Sequence, residues 1–168
     1  MEIERKYLVG GDGWRECVSR SYLISQGYLS VDECRSVRVR LRCECDMQGM
    51  PCAEGQAFLT IKGQSSADGL LREEFEYAIP YSDAERLLAM CVEGRIDKVR
   101  HIIPFGDLNI EVDEFSGANA GLVLAEVELP DTSTLFDPPA YLSEEVTGDK
   151  RYYNMYLAQH PYSTWSNI

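Results

Sequence analysis

The feature that most constrains this chain is a line of alternating charges in its first seven residues. Successive side chains of a β-strand point to opposite faces, so a strand here places Glu2, Glu4 and Lys6 together and Ile3 opposite them. An ordinary half-buried strand presents one polar face and one apolar face. This segment instead gathers two acids and a base on one line, which predicts a strand with a fully ionised face.

The same alternation recurs in six later segments. The charged side chains that share a face within each segment are Arg38 and Arg40; Lys62; Arg72, Glu74 and Glu76; Lys98 and Arg100; Glu111 and Asp113; Glu126 and Glu128. For a single strand, a solvated outer face is the simpler interpretation. Across the set, that interpretation leaves the opposite apolar faces without cover. A sheet closed into a barrel, with the charged face inward, accounts for both. Because an unpaired buried ion is costly, such a lumen must hold water, ions or a charged ligand.

A family resemblance rests on these same residues. Glu2-x-Glu4-x-Lys6 resembles the ExExK signature of the CYTH, or triphosphate tunnel metalloenzyme, superfamily. That signature alone is short, but further motifs follow in the family's order, and the ordered set is specific. These motifs are Gln26-Gly-Tyr-Leu29, Val37-Arg-Val-Arg40, Leu59-Thr-Ile-Lys62, Glu74-x-Glu76, Lys98-x-Arg100, Glu111-Val-Asp113, Ala125-Glu-Val-Glu128 and Glu145-Val-Thr-Gly-Asp-Lys-Arg-Tyr-Tyr-Asn154. The chain is most similar to the short, single-domain bacterial members.

Two departures from the family pattern are visible. Ser25 stands before Gln-Gly-Tyr where relatives often carry a base, and the segment 43–56 is longer than in compact members. The resemblance implies an α+β fold. We expect a closed antiparallel β-barrel of about eight strands that forms a charged tunnel, with helices packed on the outside. We expect one domain over residues 1–168, a length that can bury a full core.

Two helices are predicted on the outside of the barrel. Ser82-x-x-Glu85 is a capping-box pattern that precedes apolar residues at helical spacing, ending with Cys91 and Val92. The tail from about Asp149 to His160 is also helical in pattern. Both helices are interpreted as structural.

The resemblance implies a substrate site built from bases. Positive charge is needed to bind a triphosphate and to hold the charge that spreads during phosphoryl transfer. The predicted substrate-binding residues are Lys6, Arg38, Arg40, Lys62, Arg72, Lys98, Arg100 and Arg151. Arg151 either turns into the tunnel mouth or lies on the surface. Glu4, Lys6 and Tyr28 are the predicted catalytic residues, and for Tyr28 a purely structural role in the barrel wall is the alternative.

The acids imply divalent cations, because carboxylates without a cation would repel a triphosphate. Hard oxygen ligands favour Mg²⁺ or Mn²⁺, and we expect two ions. The predicted metal ligands are Glu2, Glu4, Glu74, Glu76, Glu111, Asp113, Glu126 and Glu128. The function implied is a metal-dependent triphosphatase that removes the terminal phosphoryl group, with inorganic tripolyphosphate as the first candidate substrate. Two alternatives are a class IV-like adenylate cyclase and a non-catalytic polyphosphate or nucleotide sensor.

Composition restricts partners and compartment. A net charge of −12 and a pI near 4.6 disfavour a surface for nucleic acid or an anionic membrane, so we expect neither as a partner. No apolar run follows Met1, and we expect a cytoplasmic protein whose six cysteines are free thiols. A disulfide among Cys34, Cys43, Cys45 and Cys52 stays open, and a homodimer is compatible with the family.

Overall fold

The computed structural model describes residues 2–32, 34–67, 71–91 and 94–166. The strands are β1 (Glu2–Val9), β2 (Arg20–Val31), β3 (Ser36–Cys45), β4 (Gln56–Ser65), β5 (Leu71–Ile79), β6 (Ile96–Phe105), β7 (Leu108–Phe115), β8 (Val123–Glu128) and β9 (Leu142–Glu145). The helices are α1 (Tyr81–Leu88) and α2 (Asn154–Gln159), with short 3₁₀ helices at Gly13–Cys17, Gly117–Asn119, Lys150–Tyr152 and Tyr162–Thr164.

Eight of the strands form a closed antiparallel barrel. Their order is β5-β4-β3-β2-β6-β7-β8-β1, and a pairing between β1 and β5 closes the ring. The predicted α+β barrel is therefore confirmed. The closure is short, with Glu2 opposite Arg72 and Ile3 opposite Leu71. Most of β1 pairs instead with β8, so the first strand of the chain is held mainly by one of the last.

A ninth strand lies outside the ring and was not predicted. Beyond the short closure by β5, the same edge of β1 pairs with β9, where Tyr7 lies opposite Glu145 and Val9 opposite Leu142. We expected an irregular crossing after Pro130. The strand has only four residues and three of them are exposed, so it carries no run of alternating apolar residues from which a strand could be predicted.

Much of the hydrophobic core lies between the outer face of the barrel and the segments that cover it. Around β1, β6, β7 and β8 the outward residues pack under Trp14, Phe136 and Leu142. A second cluster lies under the C-terminal segment and includes Phe115 and Leu157. Phe115 shares its face of β7 with Asp113, so this cluster lies on the inner side of the sheet. The apolar side chains of the first cluster point outward, and period-2 alternation therefore turns the charged side chains of the same strands into the lumen.

Helix α1 packs on the outside of β2, β3 and β4, as predicted. The capping box was wrong, because the helix begins at Tyr81 and no side chain caps it. The carbonyl of Pro80 accepts the first backbone hydrogen bonds, from Asp83 and Ala84, and so takes the place of a side-chain cap. The helix ends at Leu88, before Cys91, and the predicted position Val92 lies outside the described residues.

The predicted tail helix is divided into two shorter pieces. Tyr153 is extended, with φ −77° and ψ 138°, and separates the 3₁₀ turn Lys150–Tyr152 from α2. The interruption brings Tyr153 and Asn154 to the barrel lumen.

A buried hydrogen-bond chain fastens the first 3₁₀ helix to the barrel wall. Ser21 Oγ lies 2.7 Å from His101 Nδ1, and His101 Nε2 lies 2.7 Å from Glu114. Arg15 in the 3₁₀ helix donates two hydrogen bonds to the same carboxylate. Trp14 packs against the His101 ring, with ring centroids 5.1 Å apart.

Among the described residues, none of the helices combines the length and the hydropathy needed to cross a lipid bilayer.

Candidate active site

The barrel encloses a polar cavity of about 500 Å³, and most of the predicted site residues line it. The predicted metal ligands that line the cavity are Glu2, Glu4, Glu74, Glu76, Glu111, Glu126 and Glu128. The predicted phosphate ligands that line it are Lys6, Arg38, Arg40, Lys62, Arg72 and Arg100. Tyr28 lines it as well. The predicted site residues that meet in this lumen therefore come from all eight strands of the ring.

Three predicted site residues lie outside this lining. Lys98 and Asp113 are fully buried in the wall, where Lys98 Nζ donates a 2.6 Å hydrogen bond to Asp113. Arg100 also binds Asp113, so this carboxylate is shared by two bases and keeps a lowered pKa despite its burial. The structure places Arg151 on the surface, where its guanidinium binds Asp149 rather than the tunnel mouth.

Acids and bases inside the cavity pair with each other. Lys62 Nζ lies 2.6 Å from Glu2 and 3.7 Å from Glu74. Lys6 Nζ lies 3.1 Å from Glu126. Cross-strand register places Lys6 directly opposite Glu126 and Lys62 directly opposite Glu74, which brings these opposite charges together. Glu2 belongs to β1, which β5 separates from the strand of Lys62 in the ring.

Glu126 is the most strongly stabilised carboxylate of the cavity. It accepts from Lys6 and from Arg100, and although burial opposes ionisation these bases hold its pKa well below the usual range. Glu111 lies directly opposite Glu126 on the adjacent strand. Burial raises the pKa of Glu111, and attraction to Arg100, which contacts both carboxylates, offsets part of that increase.

Glu4 has the least compensation among the part-buried carboxylates of the cavity. Its one base within ion-pair distance among the described residues is Lys6, at 3.9 Å, while Glu128 lies opposite it in the strand register. Burial, followed by repulsion from Glu126, raises the pKa of Glu4 to about 7. A divalent cation beside Glu4 would remove both penalties, because it neutralises the charge that burial and repulsion disfavour.

The oxygen donor set fits Mg²⁺ or Mn²⁺ in chemistry. In the described part of the chain, no three His, Cys, Asp or Glu side chains are already arranged to hold an ion. Lysines and arginines stand between the carboxylates instead. Repulsion between ionised carboxylates at Glu2, Glu4 and Glu126 is the structural sign that a cation suits this side of the cavity.

The β3 side of the cavity is different, because arginines lie there with few acids. Arg38 Nη2 donates to Thr60 Oγ1, and Glu76 is 3.9 Å away. Within the described residues, no carboxylate is within ion-pair distance of Arg40 or Arg42. Arg40 donates from Nε to the side-chain oxygen of Gln26, at 2.9 Å. This row of guanidinium groups is suited to bind phosphoryl oxygens in pairs.

Sequence reasoning missed several residues of the lining. They are Ser36, Arg42, Thr60, Ser65, Tyr153, Asn154 and Met155. Ser36 and Arg42 share the inner face of β3 with the predicted arginines, and Thr60 shares a face with Lys62, so alternation could have identified them. The three tail residues carried no such signal, since their position depends on the break at Tyr153. Tyr153 places its ring 5.3 Å from Lys6 Nζ.

Tyr28 lies on β2 opposite Arg38 and is 5% exposed. Packing explains the glycine of the surrounding motif, Gln26-Gly-Tyr-Leu29. A Cβ atom at Gly27 would lie 2.7 Å from Cys91 Sγ and 3.4 Å from Leu88 Cδ2, so glycine allows α1 and the residues after it to approach β2. Gln26 and Tyr28 are thereby kept on the opposite, lumen side of the strand.

Comparison with known proteins agrees with this geometry. The chain is similar to a curated inorganic triphosphatase of Acetivibrio thermocellus, with 39% identity over 165 residues that cover 98% of this chain and 97% of the relative. It is also similar to an inorganic triphosphatase of Nitrosomonas europaea, with 37% identity over 163 residues, covering 94% and 96%.

Solved structures share the fold. A crystal structure of an inorganic triphosphatase superposes with a TM-score of 0.61 at 31% identity, covering 94% of each chain. A putative adenylyl cyclase from Hippeastrum, described as having dominant triphosphatase activity, gives a TM-score of 0.59 at 16% identity. It covers 78% of this chain and 80% of that one, and this likeness shows the fold alone. Residues 1–153 match the CYTH domain family. The chain therefore belongs to the CYTH domain family.

Proposed function

We propose that this protein hydrolyses the terminal phosphoryl group of a triphosphate, with inorganic tripolyphosphate as the first substrate. The observation that carries the proposal is the division of the cavity. One side holds partly uncompensated carboxylates around Glu4, and the other holds the guanidinium groups of Arg38 and Arg40 with little or no acid compensation. A cavity of this kind can bind a polyanion and its cations together. The two curated relatives, both inorganic triphosphatases, support the same substrate class.

The bases bind and orient the phosphate chain. Arg38 and Arg40 present planar donors from β3, while Lys6, Lys62 and Arg100 approach from other strands of the ring. Together they hold the charge that spreads over the phosphoryl oxygens as the terminal bridge breaks. Lys98 does not contact the cavity and supports Arg100 through their shared partner, Asp113.

The carboxylates would hold the cations. Triphosphatases of the CYTH family depend on divalent metal ions. In our proposal the ions are Mg²⁺ or Mn²⁺, two in number, with Glu2, Glu4, Glu111, Glu126 and Glu128 as the main ligands and with Glu74 and Glu76 orienting them. When bound, such ions supply charge neutralisation and an activated water molecule.

Tyr28 and Lys6 are placed to order the reacting groups. The Tyr28 side chain lies in the wall beside Arg38, where its hydroxyl can orient a water molecule toward the phosphate chain. Lys6 is fully buried, and although burial disfavours its charge, Glu126 and Glu4 raise its pKa, so it stays protonated and can donate to a phosphoryl oxygen. We place this activity in the cytoplasm, where the six free cysteines stay reduced.

A phosphate-release assay tests the proposal. Purified protein is incubated with tripolyphosphate, ATP or thiamine triphosphate, in Mg²⁺, in Mn²⁺ or in EDTA, and cyclic AMP is measured in the ATP reactions. We expect the fastest release from tripolyphosphate and none in EDTA. Glu4→Gln and Arg40→Ala should each lower turnover by about 100-fold without unfolding the protein. Rapid cyclic AMP formation with little free phosphate would contradict the proposal and indicate cyclase activity instead.

A further inference from the structure

A neutral side chain is hydrogen-bonded to Arg40, one of the arginines without a carboxylate partner among the described residues. Gln26 is completely buried on β2, directly opposite Arg40 on β3. Its side-chain oxygen accepts a 2.9 Å hydrogen bond from Arg40 Nε. Within the described residues its amide nitrogen has no hydrogen-bond partner. Gln26 does not line the cavity, whereas Arg40 does, so Gln26 reaches the cavity only through Arg40.

Stability alone would favour neither the unpaired amide of Gln26 nor the unneutralised guanidinium of Arg40. A buried amide N–H without a partner is destabilising. A glutamate at the same position would accept from Arg40 Nε and leave no unpaired donor. It would also neutralise a guanidinium whose charged form is disfavoured by burial, then by Arg38 and Arg100, which lower the pKa of Arg40 to about 9. Glutamine holds the guanidinium and leaves its positive charge intact.

We propose that Gln26 is a positioning residue for anion binding. It fixes Arg40 by the Nε edge, so that the two terminal nitrogens remain available to phosphoryl oxygens, and it does so without a charge that would compete with the substrate. This inference rests on the proposed function, because it assigns Gln26 to the binding of the same phosphate chain.

A second arginine–glutamine pair in the same barrel provides a matched control. Arg42 Nη2 donates a 3.0 Å hydrogen bond to the side-chain oxygen of Gln56, which is exposed. The chemistry of the pair is the same, but solvent at Gln56 screens an added charge. Gln26→Glu and Gln56→Glu therefore make the same substitution at two arginine-bonded glutamines that differ in burial.

The test combines steady-state kinetics on tripolyphosphate in Mg²⁺ with calorimetric titration of tripolyphosphate into protein without divalent metal. Gln26→Glu should raise KM and the calorimetric Kd by about 10-fold or more, since a charge partner is placed on a binding arginine, while kcat changes less than KM. Gln26→Leu keeps the charge of Arg40 but removes its anchor, and it should raise KM by a smaller factor. Gln56→Glu should change both constants less than about 2-fold.

Thermal melting confirms that each variant is folded. Wild-type affinity for tripolyphosphate in Gln26→Glu, or equal losses in Gln26→Glu and Gln56→Glu, would overturn the proposal. Should Gln26→Glu fail to fold, wild-type kinetics and affinity in Gln26→Leu would overturn it equally. Absence of phosphate release by the wild-type protein would instead contradict the proposed function, and the calorimetric comparison would still decide the role of Gln26.

Discussion

Lys62 on β4 lies 2.6 Å from Glu2 on β1, so a predicted phosphate ligand is bound to a predicted metal ligand. The contact spans the closure of the barrel, beside the short pairing of β1 with β5. Lys62 outweighs the effect of burial and lowers the pKa of Glu2, which keeps the carboxylate ionised. A cation that binds Glu2 would release Lys62 from this ion pair, and an anion that binds Lys62 would release Glu2.

This exchange predicts that metal and triphosphate bind cooperatively. Mg²⁺ and a non-hydrolysable tripolyphosphate analogue, added together, should raise the melting temperature by more than the sum of their separate shifts, because each ligand frees the groups that the other needs. In Lys62→Met, Glu2 is already free, and Mg²⁺ alone should stabilise the protein more than it stabilises the wild type. Strictly additive shifts in both proteins would argue against the exchange.

The raised pKa of Glu4 predicts a pH-dependent metal affinity. With a pKa of about 7, caused by burial and then by repulsion from Glu126, Glu4 is protonated in acidic solution and must lose its proton to bind a cation. The Mg²⁺ concentration that gives half-maximal turnover should rise about 10-fold per unit as pH falls below 7, and it should level off above 7. Glu4→Gln should bind Mg²⁺ more weakly and lose this slope. If Glu4→Gln keeps this pH dependence, the titrating group is not Glu4.

Two arginines test the position of the cavity. Arg38 is 7% exposed and lines it, whereas the guanidinium of Arg151 lies on the surface and binds Asp149. Arg38→Ala should lower kcat/KM for tripolyphosphate by about 100- to 1,000-fold, the loss typical for one donor to a developing charge. Arg151→Ala should stay within about 2-fold of wild type. A large loss in Arg151→Ala, measured by the same phosphate-release assay, would show that the tail turns inward during turnover.

The hydrogen-bond chain of Ser21, His101 and Glu114 predicts acid sensitivity of the fold. Burial lowers the pKa of His101 below its ordinary value of 6.5, although Glu114 partly opposes this. The folded state then binds fewer protons than the unfolded chain. The stabilisation is therefore complete above about pH 6.5 and is lost as the pH falls from there toward the lower folded-state pKa.

Urea unfolding at pH 7 and pH 5 measures this effect. This one group should lower the free energy of unfolding by up to about 1.4 kcal/mol per pH unit, while Glu4, with a pKa raised to about 7, should change it in the opposite direction over the same range. Between pH 7 and pH 5 the wild type should therefore lose more stability, or gain less, than His101→Gln. The lowered pKa of Glu114 acts in a separate window below 4.5, so it does not account for a change between these two values. An identical decrease in His101→Gln would assign the sensitivity elsewhere.

Backbone geometry explains why so much of the site could be predicted from sequence. Alternation along a strand is fixed by the pleat, so Arg38 and Arg40, or Glu126 and Glu128, must share a face once the strand is given. The same rule places Lys98 and Asp113 on inner faces. It does not show that Phe115 and Asn154 occupy the adjoining space and separate this pair from the cavity.

The remaining residues depend on tertiary contacts without a local signature. Strand β9 is too short and too exposed for a period to be visible, and Tyr153 breaks the tail helix at a position that helical spacing would continue. The sequence motif did not indicate the proposed role of Gln26, because that role depends on which residue of β3 lies opposite it.

The partners of β1 also determine when the site can exist. This strand supplies Glu2, Glu4 and Lys6, yet it pairs with β5, β8 and β9, all of which leave the ribosome much later. The growing chain therefore exposes an unpaired strand edge until the end of synthesis, a condition that favours intermolecular association. Native ring closure is then a late step between distant segments, and fragments that end before β8 should accumulate as aggregates rather than as partly active enzyme.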